Sequence, residues 1–348
     1  MIASEYPPLI LGGVGAFTHE LTLALAKRDI DVTVVTRSQD LMSQTNEGLV
    51  KVRRFYSPPI PPKDMWFYST KSSRITEIVR QVNPDVIHDI SHATGFLPWL
   101  TKNRKVVATI HGSPKISDVR RGSGSSEDFL RDILFKMAHS LPARFIGEFV
   151  KPDIKRYVHV SRFCLEDIVC RIKNPTLREM YLSKSEVIPN GVDVEKLVEI
   201  KKEALRQNDE DPLAITFVGR LMEYKGVRCL LRAFEKVLRE IEGARLHIVG
   251  NGPLYQDSKA FIRRKRLESN ILLHGALSRR DALGVVARTS FLVHPSFYES
   301  FGMVIAEAYA LGKPAITHKA GYAAEMVEET GAGLTVNVID VEALSNVI

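Results

Sequence analysis

Runs of β-branched and aliphatic residues, each followed by a segment of helical spacing, recur along this chain of 348 residues. Val32-Thr33-Val34-Val35-Thr36 is β-branched and unbroken, the pattern of a parallel strand buried on both faces. Val86-Ile87-His88, Val106–Ile110 and Tyr157–Ser161 read the same way, and Ile75–Val82 has helical spacing. Strand, helix, strand in alternation predicts a doubly wound α/β sheet. The rhythm breaks at Lys201–Pro212, a run of charges that ends in proline and reads as a linker. A second series follows. Its strands are expected at Leu213–Val218, Arg245–Val249, Ile271–His274, Phe291–His294 and Pro314–Thr317. Its helices are expected at Val227–Ile241, Leu254–Arg266, Arg279–Ala287 and Met303–Ala310. Two α/β domains, 1–198 and 199–348, are therefore expected, with the cleft between them as the preferred ligand site.

With 45% hydrophobic and 26% charged residues the composition is that of a globular protein, and the length suits two domains. No run of about 18 apolar residues occurs, so no membrane span is expected. Met1–Glu5 lacks the pattern of a signal peptide. Cys164, Cys170 and Cys229 are too few and too scattered for a disulfide framework or a zinc site, and the first two should pack as small apolar groups. A soluble, cytoplasmic protein is the expectation. The net charge of +7 leans to the first half and suits anionic ligands or an acidic membrane surface. No nucleic-acid-binding module is recognisable, so no nucleic-acid partner is expected.

Several strand ends carry loops suited to a ligand. After Ser290–Val293 comes Pro295-Ser296-Phe297-Tyr298-Glu299-Ser300-Phe301-Gly302-Met303-Val304-Ile305-Ala306-Glu307. A loop that enters a helix N-terminus presents free backbone N–H groups and a favourable dipole to phosphate. Glu299 stands before that helix and Glu307 about two turns inside it, so the two carboxylates are placed for different parts of one elongated ligand. Arg220 and Lys225 follow the strand Leu213–Val218 and suit a diphosphate. His247–Pro253 and His274–Leu277 are further strand-end loops. Gly12-Gly13-Val14-Gly15 follows a short strand, Met1–Ser4, and reads either as a flexible turn or as a close backbone approach to a ligand. His111, at the end of Val106–Ile110, reads equally as a sheet-edge residue or as one that faces the cleft. His88 and His92 flank Asp89 without a third ligand at useful spacing, so metal is not expected there. Ser113–Glu127, with Lys115, Arg120 and Arg121, reads as a mobile loop, and Phe129–Val150 as a helix packed on its own sheet.

Taken together, Gly-Gly-Val-Gly, Val187-Ile188-Pro189-Asn190-Gly191-Val192-Asp193, Val218-Gly219-Arg220 with Lys225-Gly226, and the Glu299 to Glu307 pair fall in one order. That order resembles the family-4 glycosyltransferases, retaining and metal-independent enzymes of the GT-B fold, in which two Rossmann-like domains face each other across a cleft. The resemblance covers nearly the whole chain. It implies a first domain for the acceptor and a second for a nucleoside-diphosphate sugar. Arg220 and Lys225 would hold the diphosphate and stabilise the leaving group. Glu299 would contact the sugar hydroxyls, the amides of Ser300, Phe301, Gly302, Met303 and Val304 would bind sugar and phosphate, and Glu307 would accept from the ribose. Gly13 and His111 would complete the site, and the nucleobase would lie near Gly250, His274 and Leu277. No metal and no cofactor is implied. Asp29-Ile30-Asp31 and Asp209-Glu210-Asp211 have the Asp-x-Asp spacing of metal-dependent sugar transfer, but both read as solvated surface. The acceptor is open between a lipid, a saccharide and a small metabolite, and the basic first half is compatible with peripheral contact at the inner face of the membrane. A nucleotide-sugar epimerase of the same architecture and a non-catalytic binder are the competing readings. Two departures from the family pattern are present: the first strand, Met1–Ser4, is short, and the chain ends at Val341–Ile348, where the family adds a helix that crosses back onto the first domain.

Overall fold

A computed structural model describes residues 1–8, 12–38, 43–57, 63–112, 151–207 and 209–348. The expected mobile loop Ser113–Glu127 and the helix expected at Phe129–Val150 lie outside the described residues. The described residues form two compact units, and the chain passes from the first to the second between Asn190 and Gly191.

In the first unit, β1 (Val32–Ser38) pairs parallel with β3 (Val50–Tyr56), and the polar β2 (Ser43–Glu47) pairs antiparallel with β3 at the edge. A second group runs parallel in the order β4 (Ile87–Asp89), β5 (Val106–Ile110), β6 (Arg156–His159), β7 (Ser185–Val187). Ile2 joins the two groups through bridges to Val35 and Asp89. Its amide donates to the His88 carbonyl at 2.8 Å, and the Ala3 amide donates to the Val35 carbonyl at 3.0 Å. The first three residues thus hold the centre of the sheet, with the order reversing on either side of them. Gly13–Ala26 is a helix.

The second unit has six parallel strands in the order β10-β9-β8-β11-β12-β13. These are β8 (Asp211–Val218), β9 (Arg245–Val249), β10 (Ile271–Gly275), β11 (Thr289–His294), β12 (Ala315–His318) and β13 (Gly333–Val336). The first strand made is again central. Its apolar run, Ala214 to Phe217, is buried because helices cover both faces. On one face, the helix Val227–Glu240 buries Leu230, Leu231, Phe234 and Val237, spaced three and four apart, against Phe217, Leu246 and Ile248. The helix Val341–Val347 adds Leu344 to the same core.

Two expectations need correction. Lys201–Pro212 is not a linker: helix Val194–Gln207 takes up its first part and β8 begins at Asp211. Leu197, Ile200 and Ala204 form a narrow buried stripe on that helix, and the charges read as a linker are its solvated face. Asp211 opens β8, and its carboxylate pairs with Arg245 at the surface at 2.5 Å. Cys164 is buried, as expected, but Cys170 caps the helix Arg162–Val169 and is exposed. Among the described residues no helix is long and apolar enough to cross a membrane.

Phe217 has 0% exposure at the centre of the second unit. Replacing it with alanine should cost about 3–5 kcal/mol of stability through lost burial and an unfilled cavity. Urea denaturation should report this as a lower midpoint.

Candidate functional site

In an open parallel sheet, ligands bind beyond the carboxyl ends of neighbouring strands whose connections run in opposite directions. In the second unit β8 and β11 are that pair. Their loops are joined main chain to main chain. The Phe297 amide donates to the Tyr224 carbonyl at 2.8 Å. Gly226 has φ +71°, and a Cβ there would stand 2.1 Å from the Pro295 carbonyl oxygen. Any side chain at 226 would push the loops apart.

This contact sets Lys225 against Glu299. Lys225 Nζ donates to Glu299 Oε2 at 2.6 Å, and each side chain is only 15% exposed. His294, the last residue of β11 and 2% exposed, places Nε2 at 2.7 Å from the same oxygen. Burial opposes the charge on Lys225, but the adjacent Glu299 outweighs it and holds the ammonium above its ordinary pKa. Burial also opposes the charge on Glu299, and there the Lys225 charge and the His294 hydrogen bond win, holding the carboxyl far below the usual carboxylate range. Burial keeps His294 below its ordinary value although Glu299 works the other way. The imidazole is therefore neutral at pH 7, with the proton on Nε2 as donor to the carboxylate.

Arg220, the other expected cation, is exposed, and its charge opposes that of Lys225. Its guanidinium has no hydrogen bond or ion pair among the described residues. Glu307, in the second turn of helix Met303–Ala310, is buried and does not join Glu299. Its Oε1 accepts from Arg279 Nε at 2.8 Å and pairs with the Arg279 terminal nitrogen at 2.7 Å. Gly302 caps that helix in the left-handed conformation, φ +85°. The first-turn amides of Met303 and Val304 have no intrahelical acceptor, as at every helix start. The side chains of Phe301 and Met303 are buried, and Phe301 stacks on Tyr322 at 5.4 Å, so these residues offer main chain rather than side chain.

Gly250 follows β9, and its amide donates to the Gly275 carbonyl at 2.8 Å. A Cβ at Gly250, φ +139°, would meet the Gly219 carbonyl oxygen at 1.9 Å. His274, at the end of β10, stacks on His247, with 3.0 Å between His247 Nδ1 and His274 Nε2. Burial first, then His274, pulls His247 down to about 4. His274 and Leu277 line a cavity of about 270 Å³ together with Arg280 and Arg288.

In the first unit, Gly13 opens a helix and Phe17, one turn on, meets the His111 ring edge-on at 4.9 Å. His111 thus packs against the helix that Gly13 opens. Burial, then His92 and His88, pulls His111 down to about 3. Its Nε2 is buried with no hydrogen-bond partner among the described residues. At Gly12 the backbone is extended, φ −172°, and an added Cβ would meet nothing within 4 Å, so packing does not require glycine there.

Sequence reasoning missed His294 and Arg279. His294 closes a strand five residues before Glu299, a weak signal that the strand reading absorbed. Arg279 gave no signal, because its pairing with Glu307 crosses between two helices.

A family model described as Glycosyltransferase Family 4 matches residues 11–196, and one described as Glycosyl transferases group 1 matches residues 199–348. The glycogen synthase of Mycobacterium tuberculosis is 25% identical, over 99% of this chain and 83% of its own. The D-inositol 3-phosphate glycosyltransferase of Mycolicibacterium smegmatis is 24% identical, over 95% and 76%. Sucrose-phosphate synthase from Thermosynechococcus elongatus superposes with a TM-score of 0.75 at 20% identity, covering 99% of this chain and 87% of that one. Anabaena HepE, solved in complex with UDP and glucose, gives 0.66 at 20% identity, covering 99% and 87%. The fold is that of the GT-B proteins, as expected.

Glu299 has a folded pKa below its ordinary 4.5, so its ionised form contributes stability at neutral pH, and this is lost as the pH falls through the carboxylate range. The stability gap between wild type and Glu299→Gln should therefore be full at about pH 7 and shrink below about pH 4.5. Thermal denaturation across that range checks it. A gap that does not change with pH would contradict a charged Glu299.

Proposed function

The chain belongs to glycosyltransferase family 4, and on that premise we propose that it is a retaining, metal-independent hexosyltransferase. It moves a hexose from a nucleoside-diphosphate sugar to an acceptor hydroxyl. The observation that carries this reading is the Lys225–Glu299–His294 cluster at the β8–β11 strand ends, with the exposed Arg220 guanidinium beside it. A buried ammonium and an exposed guanidinium at one strand end suit a diphosphate, whose negative charge rises as it leaves. Glu299 Oε1 takes sugar hydroxyls, because both bonds from Lys225 and His294 go to Oε2. The main-chain amides of Ser300 to Val304 bind sugar and phosphate at the helix start. Glu307, oriented by Arg279, takes the ribose hydroxyls. The base lies against Gly250, His274 and Leu277.

The first unit takes the acceptor. Glycine at Gly12 has no packing reason and fits a close backbone approach by Gly12-Gly13 to the ligand, with His111 beside it. In the reaction the bond from the anomeric carbon to the phosphate oxygen breaks. The acceptor oxygen bonds to that carbon on the same face, and its proton passes to the leaving phosphate oxygen. Lys225 and Arg220 stabilise the charge that develops there, and no dedicated base is needed. The acceptor is a lipid, a saccharide or a small metabolite, and the protein acts in the cytoplasm. The excess of positive charge suits peripheral contact with the inner face of the membrane.

UDP and UDP-glucose are the first ligands to test, because HepE holds UDP and glucose in a similar fold. Thermal-shift measurements without metal, against UDP, GDP, ADP and their sugar conjugates, should show one nucleotide stabilising the protein by about 2.7 kcal/mol at 100 times its dissociation constant. Lys225→Ala should reduce slow nucleotide release from the donor about 100-fold to 1,000-fold. Unchanged turnover in that variant would refute the role of Lys225.

A further inference from the structure

Glu299 is held at one oxygen from two directions. Lys225 comes from the loop after β8, and His294 from the strand end that leads directly into the Glu299 loop. The two holders are unequal. Lys225 is a flexible four-carbon stem with three donors and a charge that any incoming phosphate competes for. His294 is a planar ring, 2% exposed and neutral, that ends β11. Its bond to Glu299 is internal to one loop and does not depend on where the β8 loop lies.

The other side of the ring is informative. His294 Nδ1 is buried with no hydrogen-bond partner among the described residues. Buried polar atoms are nearly always paired, so an unpaired one calls for a reason. With Nε2 protonated toward the carboxylate, Nδ1 is an acceptor left without a donor. Packing alone would favour an apolar residue here. A histidine is explained by what its Nε2 does.

We propose that His294 is a positioning residue: it keeps hold of Glu299 Oε2 when Lys225 turns to the donor phosphates, so that Oε1 stays aimed at the sugar hydroxyls. This rests on the reading of Glu299 as the sugar contact. His294 touches neither the sugar nor the phosphates. It acts through Glu299, and its effect falls on the part of the donor that Glu299 holds.

The test compares UDP-glucose with UDP alone in the full chain. Leucine at 294 fills the space but cannot donate. Glutamine brings its amide nitrogen to about the Nε2 position, and asparagine brings it only to the Nδ1 position. His294→Leu and His294→Asn should raise KM for UDP-glucose at least ten-fold and leave UDP affinity within two-fold. His294→Gln should recover most of the loss. Equal behaviour of the glutamine and asparagine variants would overturn the proposal, as would a parallel loss of UDP affinity, because both would mark a packing role. If the leucine variant does not fold, the contrast between the two amides decides. Glu299→Gln belongs in the same series. If it loses discrimination between UDP-glucose and UDP while the His294 variants keep it, only the assignment of His294 fails. If Glu299→Gln keeps it too, the reading of Glu299 fails and the proposal falls with it.

Discussion

The loop after β8 and the loop after β11 touch backbone to backbone, with no space for a side chain at Gly226. That contact is the condition for the charge cluster. It sets Lys225 within 2.6 Å of Glu299. The same economy recurs at Gly250, which lies against the Gly219 carbonyl. Two glycines with left-handed or otherwise restricted backbones thus let three strand ends crowd together. The charges gain from this, because a mostly buried ion pair is little screened by solvent, and they are costly to keep without it.

The four best-placed ionisable groups are not equivalent. Lys225 and Glu299 satisfy each other, Glu307 is held by Arg279, and Arg220 stands in solvent. Ligand binding at this unit would exchange existing contacts for new ones at Lys225, whereas at Arg220 it would only add them. The bonds from Lys225 and His294 both go to Glu299 Oε2 and so fix which oxygen faces away from them, a geometric restriction that a solvated glutamate would not have.

Much of this was legible in the sequence, for identifiable reasons. The helices Arg279–Ala287 and Met303–Ala310 and the strand Arg245–Val249 have the bounds expected of them, because Ser278 and Gly302 mark the helix starts and the strand is flanked by turn residues. Arg220, Lys225 and Glu299 are legible as candidates because they stand just beyond strand ends. The helix Val194–Gln207 was hidden by its own composition, since Leu197, Ile200 and Ala204 are a thin stripe among charges. The edge strand Ser43–Glu47 is wholly polar and has no apolar alternation to betray it. His294 and Arg279 act on residues in other elements or across a loop, and periodicity within one element carries no information about such pairs.

The central place of β8 has a consequence for how this unit is made. β8 leaves the ribosome first and soon finds β9 on one side. Its other edge waits until residues 289–294 have been synthesised, when Thr289 reaches the Thr216 hydroxyl at 2.6 Å. The strand that closes this gap is also the one that delivers His294 and Glu299. Half of the sheet can form early as a local structure, but the charged cluster is assembled only when the last central pairing closes. A nascent or partly unfolded chain therefore has the cations without their carboxylate until the β8–β11 pairing closes.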